Sequence, residues 1–578
     1  MKLELQKGSR SRILAGLVFA IVGIFIIRLF YLQIIQHNYY VNLADNEQIK
    51  ILTYPAKRGL IYALDGATPV PLVLNQAVYT VIADPFTTDA DDKIIDAIQK
   101  IAGGSARSNL KALLNNKESR YAVLATKISR TQAEKIKAED FRGVILQEST
   151  QRVYPEGSLA AQTLGFVNDD GIGQYGIEGK LDKELIGKPG LLKTVVDVSN
   201  VPLTIGDKNI NTPAVDGKNI VLTIDRNIQS HAVQALIDGL KRTGADHGSA
   251  IVMDPQTGKV MAMASLPTFD PAKYSQVTDA ADFNNPVVSA PYEPGSDIKT
   301  LTMAIGIDKG VVSPQATYNN TDHINVEGLE IQNALKGITG DITFQTALTN
   351  SLNTGFVTVA KRLGDGENIT RSARDTMYDY YFNKFKLGQL SGLEVSGEAT
   401  GTVISPKEQE GNAVRYSNMA FGQGMDNTMI QVASAFSSIV NGGLYRKPTV
   451  IAGSIDTTGA FIKNDVVAAT RSVAQSTADQ VREMTRVARS SVFGRYDKPG
   501  YEIGGKTGTS QTLINGNYDN NQTVGTYLGY GGDSTPRYVI MIQVSGKNKA
   551  LAGARDALPI FTDISNWLID YLKLQPKG

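Results

Sequence analysis

The chain has 578 residues, of which 42% are hydrophobic, and a formal net charge of +1. That length allows several domains with real cores, and the even charge balance argues against binding nucleic acid through a basic surface. Cysteine is absent, which excludes disulfides, thiol catalysis and Cys-based metal sites; the histidines His37, His231, His247 and His323 lack metal-ligand spacing, so no metal, no cofactor and no Ser-His-Asp triad is expected.

Residues 1–12 carry Lys2, Lys7, Arg10 and Arg12 against a single acid, Glu4. From 13 to 35 the sequence is apolar with one charge, Arg28, enough to span a bilayer as a helix. Bulky Phe30-Tyr31-Leu32-Gln33 follows where a cleaved signal would show small residues, so an uncleaved anchor is expected. The basic tail should stay in the cytoplasm and the rest of the chain should lie outside the membrane.

Residues 36–196 read as a stalk and an α+β pedestal. Val78 to Ala83 alternates as a strand, and Asp91 to Ile101 reads as a helix with Ile94, Ile95, Ile98 and Ile101 on one face. The segments Arg58-Gly59-Leu60-Ile61, Arg152-Val153-Tyr154-Pro155, Gly165-Phe166-Val167 and Gly176-Ile177-Glu178 stand out, with nothing in them that demands chemistry. Residues 197–217, with Pro202, Gly206, Pro213 and Gly217, read as a linker. In 218–578, Ile220 to Ile224 is an expected strand, Asp225 an N-cap and Ile228 to Leu240 a helix. Two hairpins are expected, one around Asp254 to Gly258 and one across 531–536, and an amphipathic helix from Pro559 to Leu572.

Three short elements carry the chemistry. In Tyr292-Glu293-Pro294-Gly295-Ser296-Asp297-Ile298-Lys299, a Pro-Gly turn launches a helix that puts Ser296 and Lys299 on one face. A serine needs a base, and a buried lysine beside a cationic neighbour can be one. Ser351-Leu352-Asn353 and Lys506-Thr507-Gly508-Thr509 follow in that order. A second S-x-x-K, Ser108-Asn109-Leu110-Lys111, reads as an ordinary solvated helix start.

The ordered trio S-x-x-K, S-x-N, K-T-G resembles the penicillin-recognising transpeptidases, and the pedestal segments resemble those of class B penicillin-binding proteins. The resemblance implies an α/β transpeptidase domain, with an antiparallel sheet flanked by helices, on the α+β pedestal. It implies acyl transfer from peptidoglycan stem peptides ending in D-Ala-D-Ala, and acylation of the same serine by β-lactams. Ser296 would be the nucleophile, Lys299 the base, Ser351 the proton relay, and Asn353 a holder of substrate backbone and Lys299. Lys506, Thr507, Gly508 and Thr509 would bind the substrate carboxylate, and the backbone N–H groups of Ser296 and Thr509 would form the oxyanion hole. The landmarks Gly397-Glu398 and Phe421-Gly422-Gln423-Gly424 would shape the cleft. A division role is expected over elongation, with a polytopic membrane glycosyltransferase and other division or elongation proteins as partners. A serine β-lactamase and a catalytically impaired sensor or scaffold are the competing readings.

Two departures from the family pattern stand out: Tyr62-Ala63 replaces an acidic-basic pair, and Asp297 replaces a small or hydroxyl residue after the serine. A carboxylate at that place could suit a helix N-terminus, or could attract the Lys299 ammonium and raise its pKa.

Overall fold

The computed structural model describes residues 7–40, 49–88, 92–195, 210–514 and 517–577. Residues 1–6 of the expected tail, 41–48 of the expected stalk, Asp91 and most of the expected linker (197–209) lie outside the described residues. The chain divides into two units, 1–58 with 186–217 and 59–185 with 218–578.

The first unit holds helix α1 (Lys7–Phe30), continued by a wider turn, Tyr31–Ile35. The span Arg10–Ile35 is long and apolar enough to cross a membrane. A helix of that length reaches roughly 39 Å, more than a hydrocarbon core requires. The same unit holds an antiparallel sheet of Ile49–Tyr54, Gly190–Val195 and Ile210–Thr212.

In the second unit, β1 (Ile61–Asp65) pairs with β2 (Thr68–Ala83), which also pairs with β3 (Ala122–Ile128) and β4 (Val144–Val153). On its other side β1 runs parallel to β5 (Asn219–Asp225), with Ile61 opposite Ile220. Strands from both sides of 197–217 therefore share one sheet, completed by Ile451–Ile455 and Phe461–Lys463. The outer end of β2 puts Val81 and Ala83 against Ile94, Ile95 and Ile98 of the helix Asp92–Ala102.

Three of the singled-out pedestal segments meet in one place. Arg152 Nε and Nη2 reach Glu178 Oε1 at 2.9 and 2.8 Å, Nη1 donates to Asn75 Oδ1 at 2.8 Å, and Nη2 donates to the Gly59 carbonyl at 2.7 Å. Both charged side chains are buried. Planar guanidinium geometry suits this: its fixed fork of donors finds acceptors in three directions at once.

Asp225 ends β5 and caps α2 (Arg226–Thr243), its Oδ1 accepting from the N–H groups of Asn227 and Ile228 at 2.9 and 3.1 Å. A five-stranded antiparallel sheet follows. Its strands are β6 (His247–Met253), β7 (Val260–Leu266), β8 (Glu502–Ile514), β9 (Asn517–Gly532) and β10 (Pro536–Ser545), in the spatial order β7-β6-β10-β9-β8. The apolar run of β10 feeds both faces in alternation. Ile540 and Ile542 pack against α2 and the final helix Leu558–Tyr571, and Val539 and Met541 against the helix Met429–Val440. Being buried on both sides is why this stretch reads as continuous hydrophobic sequence. A third cluster surrounds α3 (Lys299–Asp308) and α4 (Asn353–Arg362). The expected transpeptidase architecture is present, with β8, the strand carrying Lys506, at the sheet edge.

Candidate active site

Three elements converge at that edge. A tight helical turn, Gly295–Ile298, leads into α3 and carries Ser296. Gly295 makes the turn possible. Its φ of +55° lies in the left-handed region, and a Cβ there would lie 2.7 Å from Ser510 Oγ on β8. Its N–H donates to the Gly422 carbonyl at 2.9 Å, which places the Phe421–Gly424 landmark beside the serine turn. Nearby, Glu398 accepts from the N–H groups of Ser391 and Gly392 and closes the loop that leads into the Gly397 landmark.

Ser351 sits just before α4 with φ of +55°. A non-glycine residue there is strained by roughly 1–3 kcal/mol and persists only where its surroundings over-determine it. The strain places its hydroxyl between the other groups. Ser351 Oγ donates to Ser296 Oγ at 2.9 Å and accepts from Lys299 Nζ at 3.1 Å and from Lys506 Nζ at 3.0 Å. Lys299 also donates to the Ser351 carbonyl at 2.8 Å and to Asn353 Oδ1 at 2.7 Å. The Asn353 amide is itself oriented, because its Nδ2 donates to the Gln332 carbonyl at 2.8 Å.

Lys506 lies opposite on β8, donating to the Thr507 carbonyl at 2.8 Å and reaching Thr507 Oγ1 at 3.3 Å. Thr507 is half-buried, and Thr509 is exposed along the strand edge. Gly508 is required by close approach: a Cβ would lie 2.1 Å from Thr526 Oγ1 and 2.9 Å from Asp297 Oδ2. Ser296, Lys299 and Lys506 therefore meet at Ser351, Asn353 and Thr507 join them through the two lysines, and Gly508 is the floor that lets β8 settle onto the serine turn.

Both lysines are buried. Burial drives the Lys299 amine well below its ordinary value, and the Lys506 charge adds to the effect. Burial also lowers Lys506, to about 8, against the opposing pull of Asp297. An ammonium in a dry cleft beside a second cation loses its proton readily, which is what a lysine base needs.

Asp297 corrects an expectation. Its Oδ2 accepts from Thr526 Oγ1 at 2.7 Å, so it faces the sheet, and the charge that acts on it is that of Lys506. It does not raise Lys299, whose lowering comes from burial and Lys506. Sequence reasoning also passed over Glu293. It is buried, and its Oε1 accepts from the Gly424 N–H at 2.7 Å and the Tyr518 hydroxyl at 3.0 Å. Burial pushes its carboxyl up. A lone acid next to the Pro-Gly turn was the available signal. Its partners, 131 and 225 residues away, left no local trace.

Residues 248–566 match the penicillin-binding protein transpeptidase domain and residues 53–222 the penicillin-binding protein dimerisation domain. The chain is 29% identical over 576 residues to stage V sporulation protein D of Bacillus subtilis, covering 98% of this chain and 87% of the relative. It is 26% identical over 576 residues to the peptidoglycan D,D-transpeptidase FtsI of Escherichia coli, covering 98% and 92%. Among solved structures, penicillin-binding protein 3 of Mycobacterium tuberculosis complexed with aztreonam superposes with a TM-score of 0.67 at 25% identity, covering 91% of this chain and 98% of that one. Transpeptidase domain and dimerisation domain occur here in one chain, in that family's order, and this protein belongs to the class B penicillin-binding proteins.

Proposed function

We propose that this protein is a membrane-anchored D,D-transpeptidase that cross-links peptidoglycan stem peptides through an acyl-serine, and that β-lactams acylate the same residue. The observation that carries the reading is the unbroken line Ser296 Oγ, Ser351 Oγ, Lys299 Nζ, at 2.9 and 3.1 Å, closed on the far side by Lys506.

With Lys299 unprotonated, the same contacts run in reverse. The lysine keeps its two N–H donations to the Ser351 carbonyl and Asn353 Oδ1, and its lone pair faces Ser351 Oγ. As Ser296 Oγ bonds to the penultimate D-alanine carbonyl carbon, its proton passes to Ser351, and the Ser351 proton to Lys299. The oxyanion forms where the N–H groups of Ser296, at a helix start, and Thr509, on an edge strand, point. Lys506 as the cation, with Thr507 and Thr509 hydroxyls, holds the terminal carboxylate, and Gly508 lets that strand sit close. When the C–N bond breaks, the stored proton returns through Ser351 to the leaving amine of D-alanine. The side-chain amine of a second stem peptide then attacks the ester, gives up its proton by the same route, and restores Ser296.

The anchor Arg10–Ile35 and the basic residues preceding it support a single-pass topology with a cytoplasmic N-terminus and an extracytoplasmic catalytic domain. The likeness to FtsI and to a sporulation protein favours a septal, division-type role. Uncross-linked glycan strands must reach such an enzyme from a glycosyltransferase, and a polytopic membrane enzyme is the proposed partner. The test is intact-protein mass of the detergent-solubilised chain after exposure to a penicillin. One long-lived adduct, absent from Ser296→Ala, is expected. Rapid turnover of the penicillin would make the protein a β-lactamase, and a folded protein without adduct would make it a scaffold.

A further inference from the structure

Asp297 lies in the middle of the serine turn, and the reaction as derived gives it no task. Its side chain is fully buried, Oδ2 is held by Thr526 of β9, and Oδ1 is buried without a hydrogen-bond partner. The Cβ-free Gly508 forms the wall against Oδ2. A carboxylate so enclosed, with only one neutral donor, is costly unless a cation lies close by. The titratable groups that face it are Lys506 from β8, Tyr527 from β9 and Tyr292 from the segment before the turn. Lys299 leaves the turn toward other elements, to Ser351, Asn353 and the ring of Phe356, 5.5 Å from its Nζ.

Ser351 Oγ thus meets two amines at nearly equal distance, 3.1 Å to Lys299 and 3.0 Å to Lys506. One must be uncharged to accept a proton, and the other must be charged to hold a carboxylate. Nothing about the Ser351 hydroxyl chooses between them. We infer that Asp297 is a positioning residue that makes this choice: a buried counter-charge behind the K-T-G strand, it keeps the proton on Lys506 and so leaves Lys299 to act as the base. The inference rests on the function proposed above.

The electrostatics agree in direction. Burial pushes Asp297 up to about 7, and Lys506 pulls it back; burial lowers Lys506 to about 8, and Asp297 pulls it back up. The two groups are charged together to the greatest extent near neutrality. Below about 7 the carboxylate gains a proton, and above about 8 the amine loses one. Without the carboxylate, Lys506 gives up its proton at lower pH.

The experiment is the rate of acylation by a penicillin, followed as a pH profile for the full chain and for Asp297→Asn. The alkaline limb moves to lower pH in the variant, so that its loss at about pH 8.5 exceeds its loss at about pH 6 by about tenfold, one pKa unit's worth. Thr526→Val keeps the carboxylate but strips its donor, so it holds its proton to higher pH and the alkaline limb moves the same way by less. If Asp297→Asn does not fold, Thr526→Val decides. Reductive methylation of Lys506, mapped by peptide mass, gives a second readout that needs no acylation: the variant's amine labels at lower pH than the wild type's. Profiles that superpose after scaling, or unchanged labelling, overturn the inference. A wild type that never acylates overturns the proposed function instead, and the labelling still decides on Asp297.

Discussion

In the pedestal, Arg152 gives its donors to a carboxylate, a side-chain amide and a backbone carbonyl, and the Glu178 carboxylate is buried with it. In the catalytic cleft, Lys299 and Lys506 are buried as deeply, yet neither has a salt-bridged carboxylate among the described residues; they share a serine hydroxyl instead. The first arrangement satisfies charge, and the second withholds satisfaction. A fully partnered buried pair costs desolvation and returns geometry, and here it holds four separate sequence segments together. An under-partnered buried amine stores a tendency to lose its proton, and that tendency is what the chemistry draws on. Arg489 repeats the pedestal's solution behind the sheet, reaching Asp497 at 2.5 Å and the Tyr527 hydroxyl at 2.6 Å. Deep burial of charge therefore does not mark a site; incomplete pairing does.

The contrast can be broken from either side. The largest effect belongs to Lys299→Met. An apolar side chain of similar length suits the pocket beside Phe356, so the melting temperature should hold or rise, because the buried amine has no salt-bridged carboxylate among the described residues. Penicillin acylation, followed by adduct mass, should fall by about 10²–10⁴, the usual worth of a positioned general base. A variant that acylates normally would move the base elsewhere. Arg152→Met should do the opposite. It removes the Arg152 guanidinium from Glu178, and breaking a buried pair costs about 3–5 kcal/mol, read as a lower denaturant midpoint. The protein that remains folded should acylate at the wild-type rate per folded molecule. A loss of acylation without a loss of stability would turn the pedestal cluster into part of the catalytic machinery.

The sequence made legible whatever is written locally. The apolar span that became Arg10–Ile35, the N-cap at Asp225, the β6–β7 and β9–β10 hairpins and the trio's order all rest on spacing within a few turns or on a recognised pattern. What it hid is long-range. Nothing in Ile61–Asp65 announces a parallel partner at Asn219–Asp225. The pedestal segments were visible singly, but the meeting of Gly59 and Glu178, with Asn75, at the Arg152 guanidinium was not, and they read as a spacer. Asp297 was visible as a departure, but which of its two readings applied was not, because its partner Thr526 lies 229 residues on and a side chain's facing is decided by packing. The left-handed backbone of Ser351 had no signal at all, since serine carries no mark of φ.

The smallest expected effect is the sharpest control on the comparison. Ser108-Asn109-Leu110-Lys111 has the same spacing as the catalytic motif and also opens a helix, Leu110–Asn115. Lys111, however, stands in water, 67% exposed, and pairs at 3.1 Å with Asp92, itself 78% exposed. An exposed pair of two flexible side chains is worth little, because solvent screens the attraction and ordering the side chains offsets much of what is left. Among the described residues, no hydrogen bond ties it to a second amine or a strained hydroxyl. Lys111→Ala should therefore leave the melting temperature, the acylation rate and the single-adduct stoichiometry unchanged. If it slowed acylation, S-x-x-K spacing alone, without burial or incomplete pairing, would be enough to bring a lysine into the chemistry.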